Sequence, residues 1–143
     1  MQEFDKVTLI TGKVHSDPRG LVVFNNSLDI SGFCRMYLLG NSIELPLRGW
    51  HGHAHEAKIF TCLVGSVEIA GVRIDNWVSP SKELTVEKFE LHSETMDAVY
   101  VPAGYANAVM AKTPGALVQV LSSSTLDESK ADDFRYPADY WVI

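Results

Sequence analysis

Short apolar runs recur along this chain every eight to twelve residues, and each is broken by glycine, proline or a pair of small polar residues. Such runs are too short for stable helices, and their apolar residues tend to alternate rather than return every third or fourth position. Short alternating strands with frequent turn signals close into a sandwich or barrel. The runs predict strands over 6–11, 21–24, 33–39, 48–55, 59–64, 66–70, 72–75, 84–91, 99–101, 106–111 and 116–122. Gly71 is expected to form a tight turn, and a slip of alternation in 84–91 reads as a bulge. His15-Ser16-Asp17-Pro18-Arg19-Gly20 is turn chemistry, because proline presets one dihedral and glycine accepts a positive φ. Only the tail over 127–134 looks helical. Thr125 is its expected cap, and Glu128 stands three residues later to complete a capping box. The 143 residues are expected to form one domain, 1–143, with a real core.

Composition bounds the partners. A net charge of -6 argues against unaided binding to nucleic acid or to an anionic membrane. It leaves room for an anionic ligand held by a few pocket arginines. No apolar run approaches 18 residues, and the opening Met1-Gln2-Glu3-Phe4-Asp5 does not read as a signal peptide. Cys34 and Cys62 both lie in apolar runs and are expected to be buried thiols. A cytoplasmic protein is the expectation from these features.

The chemistry concentrates in Arg48-Gly49-Trp50-His51-Gly52-His53-Ala54-His55, followed by Lys58 and Gly65. On a strand, positions i, i+2 and i+4 share a face, with successive members about 6–7 Å apart. His51, His53 and His55 are therefore expected to form a row of imidazoles, while Trp50 packs on the opposite face and Glu56 turns away. Three readings are open: a metal site, a structural row, and an acid–base pair without metal. Gly49, His51, His53 and Gly65 keep the spacing of the cupin jelly-roll motif. That resemblance implies a carboxylate ligand where Lys58 stands and a final histidine where Asn107 stands, in Pro102-Ala103-Gly104-Tyr105-Ala106-Asn107. An ammonium group repels a divalent cation, and an amide is a poor ligand for soft metals. The balance favours acid–base chemistry with no metal and no cofactor. Lys58 would hold a nearby histidine neutral, fit to act as a base.

Four segments carry a wider resemblance: Asp17-x-Arg19-Gly20, Arg48-Gly49-x-His51-x-His53, 58–65, and Val101-Pro102-Ala103-Gly104. Together, from about residue 15 to 135, they resemble the nucleotide-sugar cupins, the dTDP-4-keto-6-deoxyhexose 3,5-epimerases and the related 3,4-ketoisomerases. The resemblance implies an all-β double-stranded β-helix, the cupin jelly-roll barrel, with a short C-terminal helix. It implies a dTDP-linked keto sugar as substrate and a homodimer as the assembly, with an Arg19 that reaches a neighbouring subunit's site. The Lys58 run and Ser79-Pro80 resemble the epimerases, whose base falls on His51 and whose acidic tyrosine falls on Val120. Arg48 to His53, Arg35-Met36-Tyr37 and Leu121-Ser122-Ser123 with Leu126-Asp127-Glu128 resemble the ketoisomerases, in which both histidines act.

On that reading His51 is the base, His53 the second proton carrier, Tyr37 a hydroxyl donor and Lys58 the cation that steadies an oxyanion. Arg19 and Arg48 are expected on the diphosphate. Arg35, Tyr105 and Asn107 complete the expected binding set. The 3,4-ketoisomerase reaction is the leading expectation and 3,5-epimerisation the alternative. A metal-dependent cupin and a non-catalytic nucleotide-sugar-binding cupin are the readings from other classes.

Overall fold

A computed structural model describes residues 2–143. Its strands are β1 (Thr8–Ile10), β2 (Lys13–Asp17), β3 (Gly20–Phe24), β4 (Arg35–Gly40), β5 (Leu47–His53) and β6 (Lys58–Val64). They continue as β7 (Ser66–Arg73), β8 (Val86–His92), β9 (Ala98–Val101), β10 (Tyr105–Ala111), β11 (Leu117–Ser122) and β12 (Phe134–Arg135), with one helix, α1 (Leu126–Lys130), before β12. Two five-stranded antiparallel sheets result, in the orders β1-β9-β6-β11-β4 and β12-β5-β10-β7-β8, and β2 and β3 form a separate hairpin. This is the all-β architecture expected from the spacing of the turns, in the jelly-roll form that the family resemblance implies.

The core lies between the sheets. Phe60 and Cys62 of β6, Val118 and Val120 of β11, and Val99 and Val101 of β9 meet Val67 and Ile69 of β7, Leu91 of β8 and Val109 of β10. Full burial of an aliphatic side chain such as Ile69 or Leu91 is worth roughly 1.5–3 kcal/mol. The second sheet is also covered on its outside. There Trp50, Ala70, Val72, Ala106 and Ala108 pack under Trp141, with Tyr136, Tyr140, Leu84 and Val86 around them. Burial on both faces explains the slip in 84–91. Leu84 and Val86 serve the outer cluster, Phe89 and Leu91 the inner one, and the β7–β8 pairing runs without a bulge.

Gly71 is not a turn. It lies inside the continuous β7, where a Cβ would stand 2.6 Å from Val7 Cγ2, so the glycine admits the N-terminal segment. The thiols also divide: Cys62 is buried, whereas Cys34 is exposed just ahead of the edge strand β4. The helix matches its signals. Thr125 accepts a hydrogen bond from the Glu128 N–H at 3.2 Å, and Glu128 accepts one from the Thr125 N–H at 2.9 Å. Such a box is worth ~1 kcal/mol. The helix ends at Lys130, four residues short of the expected limit, because 134–135 pairs with β5 as a strand.

Candidate active site

A cavity of about 320 Å³ opens between the two sheets at the end where β5, β4 and the C-terminal tail meet. His51 and His53 reach it from β5, Lys58 and Phe60 from β6, Arg35 and Tyr37 from β4, and Asn107 from β10. Strand alternation accounts for most of this, since His51 and His53, Lys58 and Phe60, and Arg35 and Tyr37 are each two residues apart. Arg48 lines the cavity too, although it stands three residues from His51. The β5–β10 register explains why. His51 pairs with Asn107 and Gly49 with Ala108, which leaves Trp50 as one extra residue on β5. A bulge of this kind resets the alternation and returns Arg48 to the inner side. Gly49 allows it: at φ 155° it lies against Ala108, where a Cβ would come within 2.6 Å of the alanine Cβ.

The third histidine does not join the row. β5 ends at His53, and the Asp132 carboxylate accepts hydrogen bonds from the N–H groups of Ala54 (2.7 Å), His55 (2.8 Å) and Glu56 (3.1 Å). This capture turns the chain away from the sheet. His55 becomes exposed, and Glu56, expected to face outward, is driven inside with a fully buried carboxyl group. There it lies 3.5 Å from Lys58 Nζ, 3.6 Å from Arg35 Nη2 and 3.8 Å from His53 Nδ1.

The two remaining histidines sit in different surroundings. Burial, with the charges of Arg135 and Lys58 behind it, pushes the His51 imidazole down to about 4, so it is neutral at physiological pH. The His53 Nδ1 lies 2.5 Å from the Asp132 carbonyl. A carbonyl only accepts, so Nδ1 carries the hydrogen and Nε2 is the free position of the ring. Nε2 is buried without a protein partner. Burial and Lys58 lower the His53 pKa, while Glu56 and the Asp132 carbonyl work against them. Across the cavity Lys58 Nζ donates to the Tyr37 hydroxyl at 3.1 Å, which leaves the tyrosine O–H free to point elsewhere.

Several expected residues lie apart from the cavity. Tyr105 pairs in register with His53, but its side chain is buried in the core rather than in the cavity lining, with its hydroxyl 3.5 Å from the Asp5 carbonyl and Arg73 over its ring. Arg19 stands in the β2–β3 turn with its side chain 90% exposed, held by Asp17 at 2.7 Å. Val120 is fully buried and pairs in register with Tyr37. The phenol nearest to the position of the expected acid therefore stands one strand over.

The tail contributes a wall that the sequence did not announce. Leu126, Ser129, Lys130, Asp133 and Arg135 line the cavity, and Arg135 pairs in register with His51. No local pattern marks Arg135; its place follows from the docking of 134–135 along β5. Arg35, Arg48, Lys58, Lys130 and Arg135 set five cationic side chains against one lining carboxylate, Asp133. A protein of net charge -6 thus holds an anion-attracting cavity.

The donor set does not fit a cupin metal. An ammonium (Lys58) and an amide (Asn107) face the histidines, and among the described residues no three His, Cys, Asp or Glu side chains converge.

Arg135→Gln tests the electrostatics. Removing that cation favours the imidazolium, so the His51 midpoint should rise from about 4 towards the free-histidine value. For a reaction that uses His51 as its base, the acid limb of kcat/KM should rise with it. Histidine NMR titration reads the shift directly; an unmoved midpoint would show that Arg135 plays no part in it.

Two imidazoles, a phenol and an ammonium group thus line one cationic cavity, a set of groups able to move protons on an anionic, carbonyl-bearing substrate, as an isomerase does. The comparisons agree with that class. Residues 2–137 match the family model of dTDP-4-dehydrorhamnose 3,5-epimerase, and the chain belongs to this family of dTDP-sugar isomerases and epimerases. Among similar solved structures is the rmlC epimerase of Mycobacterium tuberculosis (TM-score 0.73, 23% identity, covering 94% of this chain and 71% of that one). Another is the sugar 3,4-ketoisomerase QdtA of Thermoanaerobacterium thermosaccharolyticum in complex with TDP (TM-score 0.67, 22% identity, covering 96% and 93%). A third is NovW of Streptomyces spheroides, a 4-keto-6-deoxy sugar epimerase (TM-score 0.74, 22% identity, covering 94% and 71%). No curated protein matches the chain.

Proposed function

We propose that the chain is a 3,4-ketoisomerase of a dTDP-linked 4-keto-6-deoxy sugar, working without a metal. The observation that carries the reading is the pair His51 and His53 on one face of β5, both opening on the cavity and opposed by Tyr37 and Lys58. The 4-ketone acidifies the hydrogen on C3. His51, neutral and free of protein partners among the described residues, takes that proton. Lys58, which lines the cavity with the histidines, would stabilise the charge of the enolate oxygen. The His51 imidazolium passes that proton on to Nε2 of His53, which returns it to C4, while the Tyr37 hydroxyl carries the O3 proton to O4, so that the carbonyl moves to C3 and both rings end neutral. Lys130, Arg135, Arg48 and Arg35 would hold the diphosphate.

The epimerase reading draws on Lys58 and on the family model itself. It needs an acid on the opposite face of the sugar, and the buried Val120 supplies none. Incubation with dTDP-4-keto-6-deoxyglucose in deuterated water separates the reactions by NMR. A 3-keto product supports the isomerase. Deuterium at C3 and C5 with the ketone still at C4 would replace it with the epimerase, and nucleotide binding with neither result would leave only a binding module.

The assembly belongs to the same proposal. β4 is an edge strand that exposes Met36 and Leu38, and the β2–β3 hairpin beside Arg19 exposes Val14, Leu21 and Val22. An open edge and an exposed apolar hairpin favour a second copy. Arg19, which does not reach the cavity of its own chain, would then be offered to the partner's. Light scattering should give twice the 15.8 kDa of the chain; a monomer at micromolar concentration would exclude the shared site. A cytoplasmic setting fits a substrate of this class.

A further inference from the structure

Glu56 is the one fully buried carboxylate at the edge of the cavity, and the chemistry above makes no use of it. Both of its oxygens are shielded from solvent and have no hydrogen-bond partner within the protein. It does not line the cavity, so it does not touch substrate. A buried carboxylate without hydrogen bonds is costly, and its retention calls for a reason in the charges around it. Those charges are Lys58, Arg35 and the Nδ1 edge of His53, at 3.5, 3.6 and 3.8 Å. Three strands and the turn after β5 thus converge on one anion, which the Asp132 clamp on Ala54, His55 and Glu56 holds inside.

We propose that Glu56 is the positioning residue that divides the work between the two histidines, by serving as the fixed counter-charge for His53 when His53 carries a proton. The inference rests on the reading of His53 as the second proton carrier. When His53 Nε2 accepts a proton the ring becomes a cation, with Nδ1–H directed at the Asp132 carbonyl and the Glu56 carboxylate behind it. The same proton leaves from Nε2 to the sugar, and the ring returns to neutrality. His51, two residues along β5, has no such anion at its back; it faces Arg135 and Lys58, with Asp133 the nearest opposing charge. The charged or titratable groups around His53 are His51 on β5, Lys58 on β6, Arg35 and Tyr37 on β4, and Asp132, Asp133 and Arg135 on the tail. Glu56, together with Asp132, favours the cationic ring of His53 against burial and Lys58.

Glu56→Gln, nearly isosteric and uncharged, is the test, read by histidine NMR titration of the resting protein and by turnover. The His53 midpoint should fall by about one unit while that of His51 stays within a few tenths. The kcat should fall about tenfold with dTDP binding unchanged, since the lost charge acts on the proton carrier and not on the nucleotide. Glu56→Asp, which keeps the charge and draws it back by one methylene, should give an intermediate midpoint and recover part of the rate. An unshifted His53 midpoint in a folded Glu56→Gln overturns the proposal whether or not the wild type turns over. If that variant does not fold, Glu56→Asp decides alone, and a His53 midpoint identical to the wild type overturns it. A shifted midpoint in a protein that processes no 4-keto sugar upholds the positioning role and ends the substrate assignment instead.

Discussion

His51→Asn is expected to lower C3 proton exchange and turnover by ~10²–10⁴, the range typical for loss of a general base. The effect should fall on kcat, with dTDP binding retained, because the ring has no structural hydrogen bond to lose and the phosphate-facing cations are untouched. The strand should also survive, since the pairing of His51 with Asn107 and Arg135 is made through the backbone. Proton exchange into deuterated water isolates the first step from product release. A variant that exchanges C3 hydrogen at more than a tenth of the wild-type rate would show that another group is the base, with His53 Nε2 next in position.

Lys58→Met should cost ~10²–10³ in kcat, the magnitude found when a single preorganised donor to a developing oxyanion is lost. It should also lower stability, because Glu56 would keep only Arg35, at 3.6 Å, as a counter-charge. Breaking one side of a buried ion pair is penalised by the charge left behind. The two effects separate in the double variant Lys58→Met/Glu56→Gln, which removes both charges. Its melting temperature should recover most of the loss while its rate does not. Recovery of the rate as well would mean that Lys58 acts only as the partner of Glu56 and not on the substrate.

Both results depend on a cavity whose floor could be read from local pattern and whose wall could not. His51 and His53 share a face because strand alternation dictates it, and Lys58 and Phe60, or Arg35 and Tyr37, follow the same rule on their own strands. The turn residues marked where most strands stop, and Thr125 with Glu128 marked where the helix starts. The readings that failed did so where a distant group overrides the local rule. His55 leaves the row because Asp132, 77 residues on, captures its N–H. Arg48, expected in the site, reaches the cavity only because Trp50 bulges out of register with β10. Gly71 stays within a strand because Val7 approaches it from the other end of the chain.

The amino-acid sequence by itself determined the all-β fold, the strand that bears the site and the imidazole pair, since these depend on periodicities of two and on turn chemistry a few residues long. Only the tertiary structure decided the electrostatics. Arg135 beside His51, Asp132 under His53 and Glu56 among three cations are all placed by the tail folding back along β5 and by the turn it holds. Charges act through space at distances of a few ångströms, and which charges come that close depends on contacts between segments some eighty residues apart, which no short window of sequence contains.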